Sequence, residues 1–133
     1  MSVDYLIITS LEYDIQQFIE RIPSDSNISL AEAEMGGYLI ENHDNDYYCW
    51  FSPYDHSEDG CSNLMDWHDK EQIDTIFQYF QQPKFFALSA PCREYLYWII
   101  ELVANTNEVL IFPDEIILPG SEFVRRTKAG ERL

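Results

Sequence analysis

The sequence predicts an α/β protein of one domain, with a mixed central sheet of about five to seven strands packed against three helices. Three observations support this fold class. The length of 133 residues is that of one typical domain. The chain is 46% hydrophobic and 15% aromatic, which allows a packed core. Its apolar runs alternate between strand-like and helical spacing. We expect residues 1–120 to form the domain and residues 121–133 a basic tail that frays.

The first two elements have the clearest pattern. Residues 3–9 are apolar and β-branched on both faces, as in a buried strand. Thr9 and Glu12 have the spacing of a capping box, and Pro23 would end the helix that follows. The apolar face of this predicted helix is formed by Leu11, Ile15, Phe18, Ile19 and Ile22.

The next segment is predicted to be richer in strands and turns. Residues 28–35 fit either a strand or a short helix, because their alternation is imperfect. Residues 38–41 and 47–52 are predicted as two strands joined by a turn. Residues 53–67 lack periodicity, and we interpret them as a long exposed loop.

Two further helices and three strands are predicted in the second half. Asp69 is expected to cap a helix that ends at Pro83, with an apolar face of Ile73, Ile76, Phe77 and Phe80. Pro91 would be the first residue of a helix that runs to about residue 104 and is apolar almost all round. The predicted strands cover residues 85–89, 109–112 and 115–118.

The charge of the chain is strongly one-sided. There are 24 acidic and 8 basic residues, for a formal net charge of −16. A field of this sign disfavours duplex nucleic acid and anionic membranes as direct ligands. No apolar run approaches the ~20 residues of a membrane span, and no basic segment precedes the first apolar run. We therefore expect a soluble, cytoplasmic protein without cofactors.

Motifs of common enzyme classes are absent from the sequence. There is no GxSxG, no GxxxxGK[ST] and no GxGxxG. Cys49, Cys61 and Cys92 lack CxxC spacing, which indicates reduced thiols that pack as small hydrophobic groups. The expectation is therefore a protein that is not an enzyme.

Residues 41–74 contain the densest group of functional side chains. They include ten acidic residues against Lys70 alone, all three histidines and several aromatic residues. Carboxylates beside aromatic anchors are typical of a surface that docks a basic protein. The residues predicted to bind the partner are Asp44, Asp46, Tyr47, Tyr54, Asp55, Glu58, Asp59, Asp66, Trp67 and Asp69.

Two other interpretations of this segment remain open. It could be a solvated acidic loop that serves solubility alone. It could also belong to a small metal-dependent hydrolase, with His56, His68 and nearby carboxylates as ligands. The spacing does not match HExxH or an EF-hand loop, so no metal site is predicted.

The chain resembles the bacterial immunity proteins of contact-dependent growth inhibition and polymorphic toxin systems. The resemblance is one of type: a small, acidic α/β domain with segments such as Asp46-Tyr47-Tyr48 and Tyr54-Asp55-His56. It implies an antitoxin-like inhibitor that binds a basic cognate toxin domain 1:1. That domain would be the C-terminal nuclease of a secreted effector. A nucleic-acid mimic that blocks a DNA- or RNA-binding protein is a related alternative.

Overall fold

The computed structural model describes residues 2–23, 25–33, 36–54, 70–113 and 116–133. In these ranges the chain forms seven strands and four helices. The strands are β1 Val3–Ser10, β2 Ile28–Glu32, β3 Tyr38–Asn42, β4 Tyr47–Tyr54, β5 Pro83–Ala90, β6 Leu110–Phe112 and β7 Leu118–Pro119. The helices are α1 Ile15–Ile19, α2 Lys70–Tyr79, α3 Arg93–Val103 and α4 Gly120–Lys128.

All seven strands belong to one sheet, in the order β2-β3-β4-β5-β1-β6-β7. The predicted α/β fold class is confirmed. The sheet was expected to be mixed, but every strand pairing in the described ranges is antiparallel. The central strand is β5, and β1 beside it pairs with β5 on one side and with β6 on the other.

One face of the sheet is covered by α1, α3 and α4. Phe18 of α1 packs against Phe51 and Phe86, with ring centroids 5.4 and 5.1 Å apart. Helix α3 contributes four buried side chains to the same cluster, and α4 contributes Phe123 and Val124. This side holds most of the hydrophobic core.

The opposite face is covered in part by α2. Ile73 and Ile76 of this helix pack with Ile8, Phe85 and Phe112, which lie at the β5-β1-β6 end of the sheet. Because successive side chains of a strand alternate between faces, the register assigns Ala31, Leu39 and Trp50 to the same side of the sheet as Ile8.

The first helix is shorter than predicted. It begins after Asp14, whose carboxylate accepts a hydrogen bond from the backbone of Gln16 in a capping box with Gln17. Thr9 does not cap it, because this residue lies inside β1 with its hydroxyl bonded to the Ser10 carbonyl. Leu11 was placed on the apolar face but is 59% exposed.

Two predictions for the second half are also corrected. Phe77 was expected on the buried face of α2 but is 43% exposed. The segment from residue 121 does not fray over its whole length, because α4 occupies Gly120–Lys128. Beyond this helix, the Tyr97 hydroxyl exchanges two hydrogen bonds of 2.9 Å with the backbone of Leu133.

Gly120 allows α4 to start against the loop that follows α3. A Cβ atom at this position would lie 1.8 Å from the carbonyl oxygen of Ala104, far inside van der Waals contact. The backbone N–H of Gly120 donates to the Val109 carbonyl at 3.0 Å. Only glycine permits this approach, which fixes where the last helix joins the core.

Candidate protein-binding surface

The hairpin between β3 and β4 holds two of the predicted acidic residues at one end of the sheet. We call residues 43–46 the hairpin tip. The side-chain oxygen of Asn42 accepts a hydrogen bond of 3.0 Å from the backbone of Asp44. Asp46 has a φ of 54°, a left-handed conformation that Asp adopts more readily than most residues. Asp44 and Asp46 are both exposed, so their carboxylates are available to a partner.

Aromatic rings support the hairpin tip from α3. The ring centroid of Tyr47 lies 4.3 Å from that of Tyr95 and 6.0 Å from that of Trp98. Tyr48 lies 6.1 Å from Tyr95. Partial burial, with smaller effects from Cys92, Tyr47 and Asp46, raises the pKa of the Tyr95 phenol. Asp44, Asp46 and Tyr47 thus lie within one hairpin, and their role in binding stays a prediction.

Tyr54 lies away from this group. Tyr54 follows Tyr47 by seven positions along β4, a distance of roughly 23 Å at the rise of an extended strand. The odd separation also turns it to the other face, where it packs with the cluster of Ile73 and Ile76 beside α2. Tyr54 and the hairpin tip consequently lie at opposite ends of strand β4.

The other six predicted residues lie outside the described residues. They are Asp55, Glu58, Asp59, Asp66, Trp67 and Asp69. Their role in binding stays a prediction, as does that of His56 and His68.

An exposed aromatic surface lies on the half of the sheet that α2 does not cover. We call it the open face and define it by Ala31, Leu39, Tyr48 and Trp50. Trp50 is 47% exposed and Tyr48 is 41% exposed. Leu39 is opposite Trp50 in the sheet, and Ala31 is opposite Leu39, so the three form one row across β4, β3 and β2.

Trp50 is bordered by two depressions in the surface. The larger has a volume of about 550 Å³, and small residues such as Ala31, Gly37 and Ser52 line it. The smaller has a volume of about 410 Å³ and is lined by Tyr48, Ser89 and Pro91 among others. A partner can thus contact Trp50 from two sides. Large aromatic residues that become enclosed in this way dominate the binding energy of many interfaces.

Acidic residues border the open face without basic neighbours. Glu41 is opposite Tyr48, and Asp4 is in the row of Ser89 and Trp50. None of the strand residues that the register assigns to this face is Lys or Arg. Within the described part of the chain, the ion pairs found involve neither Glu41 nor Asp4.

Five of the eight basic side chains pair with other groups of the protein itself. Arg21 donates to the Val103 carbonyl at 2.7 Å, and Lys84 donates to the Tyr13 carbonyl at 2.6 Å. Ion pairs at the surface join Arg125 and Arg126 to Glu122, and Lys128 to Glu101. These five basic side chains are therefore engaged with groups other than the residues that define the open face.

Sequence reasoning did not select Trp50 or Tyr48 as binding residues. A usable signal was present in the alternation of β4, where Cys49 and Phe51 are fully buried. Two inward residues at positions 49 and 51 require that residues 48 and 50 point to the other side of the sheet. Large aromatic side chains on that side are then candidates for contact with a partner.

No metal site is found in the described ranges, and the Cys49 thiol there is buried. No group of three His, Cys, Asp or Glu side chains there could hold a metal ion. His43 forms a hydrogen bond of 3.0 Å with the Ser29 hydroxyl. Burial raises the pKa of the Cys49 thiol to about 12, so this group is not a thiolate near neutral pH.

Comparisons with known proteins do not assign the chain to a family. No family model matches it, and no curated protein or solved structure matches it. None of the helices in the described ranges combines the length and apolar character that a membrane span requires.

Proposed function

We propose that this chain is a non-catalytic inhibitor that binds a basic protein through the hairpin tip and the open face. The observation that carries the proposal is an exposed Trp50, bordered by acidic residues, on a sheet face whose described strand residues include no Lys or Arg. The partner we propose is a cationic toxin domain, such as a nuclease. The inhibitor would protect the cytoplasm of the cell that makes it.

The acidic and the aromatic residues would have different roles in binding. Carboxylates attract a cationic partner over a distance and can raise association rates to about 10⁸–10⁹ M⁻¹s⁻¹ at low salt. Desolvated aromatic side chains supply most of the energy that holds a complex together. On a nuclease, the carboxylates would occupy positions that otherwise bind substrate phosphates, so that substrate is excluded.

The proposal is tested by pairing the chain with the C-terminal domain of a secreted protein encoded beside its gene. Co-expression should restore growth to cells that produce this domain, and the purified proteins should form a 1:1 complex. Growth arrest that this chain does not relieve, with no complex in solution, would overturn the proposal.

Substitutions then locate the surface. Trp50→Ala should weaken the complex by about 2 kcal/mol or more, mainly through faster dissociation. Tyr79→Ala is the matched control, since Tyr79 is 55% exposed but lies on α2. Equal affinities for the two variants would exclude the open face. The Lys substitutions of Asp55, Glu58 and Asp59 together would show whether that segment also contributes.

A further inference from the structure

The outer edge of β2 has no partner among the strands that the structure describes. This strand is the first in the order of the sheet and pairs only with β3 in the described ranges. Four of its five residues are exposed. An edge of this kind is a template on which another extended segment can add a strand.

The hydrogen bonds at both ends of β2 show which backbone groups face outwards. Ala33 donates to the Gly37 carbonyl, and His43 donates to the Asn27 carbonyl, both at 2.8 Å. In an antiparallel ladder every second residue bonds to the neighbouring strand, so Ser29 and Ala31 face β3. The N–H and C=O groups of Leu30 and Glu32 therefore point away from the sheet.

Three common protections of an edge strand, namely a proline, a lysine and a bulge, are absent from β2. Its sequence, ISLAE, has no proline and no lysine, and its pairing with β3 is continuous without a bulge. Leu30 is 44% exposed. Proline, lysine and bulges hinder the pairing of another strand with a sheet edge, so an edge without them is suited to accept a strand.

The side chains next to this edge indicate the chemistry of the added strand. Ser29 and Ala31 are small, so a long side chain from an eighth strand can pass over them. Across Ser29 it would meet the carboxylate of Glu41, and across Ala31 it would meet Leu39 and the large depression beside Trp50. Glu32 adds an exposed carboxylate on the strand itself.

We propose that β2 binds an extended, basic segment of the partner protein as an eighth strand of the sheet. This inference rests on the proposed function and specifies how the partner is held. The segment alternates basic side chains, which reach either Glu41 or Glu32 on one face, with apolar ones that cover Leu30 or Leu39 on the other face. Backbone hydrogen bonds supply affinity and the alternate side chains supply selectivity. A second copy of this chain is disfavoured as the occupant by its net charge of −16.

The test uses a peptide of alternating lysine and valine as the probe and the isotope-labelled full chain. Titration should shift the amide signals of Leu30 and Glu32 and slow their hydrogen exchange, and added salt should reverse both effects. Leu30→Pro removes an outward N–H without removing a bond to β3, so it should weaken binding about tenfold. Leu30→Thr keeps the N–H and should bind nearly as well as the unmodified chain.

Two further probes keep the test decisive if Leu30→Pro does not fold. A fully N-methylated version of the peptide retains its charges but cannot donate hydrogen bonds, and it should not bind. A peptide of alternating glutamate and valine should not bind either. If this acidic peptide binds as well as the basic one, both proposals fail.

Three outcomes would overturn the strand addition alone. The first is salt-sensitive binding of the basic peptide with shifts confined to the hairpin tip, which would leave the proposed function standing. The second is no binding of the basic peptide while the complex with the toxin domain still forms. The third is a dimer in light scattering that Leu30→Pro dissociates, because the edge would then bind a second copy.

Discussion

Glu122 accepts hydrogen bonds from two arginines on the same helix. Arg125 lies one turn ahead of it, and Arg126 donates to it at 2.9 Å. Hydrogen bonds from these guanidinium groups lower the pKa of the Glu122 carboxyl to about 2. The Glu122 carboxyl is therefore ionised, and can accept both hydrogen bonds, at pH values above this lowered pKa.

This lowered pKa predicts a specific loss of stability in acid. A carboxyl group whose pKa is depressed on folding stabilises the protein above its ordinary pKa, and the contribution is lost as pH falls through the folded value. The difference in melting temperature between the unmodified chain and Glu122→Gln should be constant above about pH 5. It should then shrink between pH 4.5 and about 2, the ordinary and the lowered pKa.

Glu12→Gln is the control, because Glu12 is exposed in the turn after β1. Its difference from the unmodified chain should change less over the same pH range. Identical pH profiles for the two variants would contradict the role of Glu122. Thermal melts in buffers of matched ionic strength provide the measurement.

Single residues were predicted best where local chemistry decides their place. Asp46 is an example, since a turn-forming residue between two strands favours a tight hairpin. Thr9 is a counter-example. Its spacing from Glu12 fits a capping box, but both of its neighbours in sequence belong to β1. Tertiary pairing with β5 extends the strand to Ser10, and the cap moves to Asp14.

At the scale of elements, α2 provides a direct test of how the second face is packed. Ile76 is fully buried, whereas its neighbour Phe77 is 43% exposed. Ile76→Ala should lower the free energy of unfolding by about 2–4 kcal/mol, since it removes buried methyl groups and leaves a cavity. Phe77→Ala should cost about 1 kcal/mol or less. Urea denaturation of both variants measures the difference, and a larger loss for Phe77→Ala would show that α2 packs through its other side.

Helix α4 shows why some elements escape prediction. Its buried residues are only Gly120, Phe123 and Val124, followed by Arg125 and Arg126. Two adjacent apolar side chains are too few to display helical periodicity, and a Pro-Gly pair at the start is typical of a turn. The helix exists because Phe123 packs against Tyr5 and Tyr97, which are distant in sequence.

At the scale of the whole molecule, the strand order could not be predicted. Val3 pairs with Ala90, and Leu6 pairs with Phe112, so both neighbours of β1 lie far along the chain. No local pattern records such pairings. The open face depends on this order, because the order decides which half of the sheet α2 covers. The sequence therefore indicated an acidic surface with aromatic residues but not its central Trp50.

The net charge predicts how salt affects the free protein. Self-repulsion in a chain with a charge of −16 destabilises the compact state, and salt screens it. Raising NaCl from about 0.02 M to about 0.5 M should therefore raise the melting temperature by several degrees, as the Debye length falls from roughly 20 to roughly 4 Å.

A variant with fewer charges is the control for this prediction. Neutralising Asp4, Glu41, Asp44 and Asp46 to their amides removes four charges and should reduce the effect of salt on the melting temperature. Melting temperatures that fall with NaCl, or that rise equally in both proteins, would contradict the argument.

The position of β1 between β5 and β6 also has a consequence during synthesis of the chain. A ribosome adds roughly 5–20 residues per second, so the first strand is synthesised several seconds before Leu110 exists to pair with it. The β2–β4 meander can pair before the later strands are made, because its pairings are local. Strand β1 thus lacks one of its two neighbours until Leu110–Phe112 are made. Until then its apolar VDYLIITS sequence is a natural target for chaperones and for aggregation in the cell.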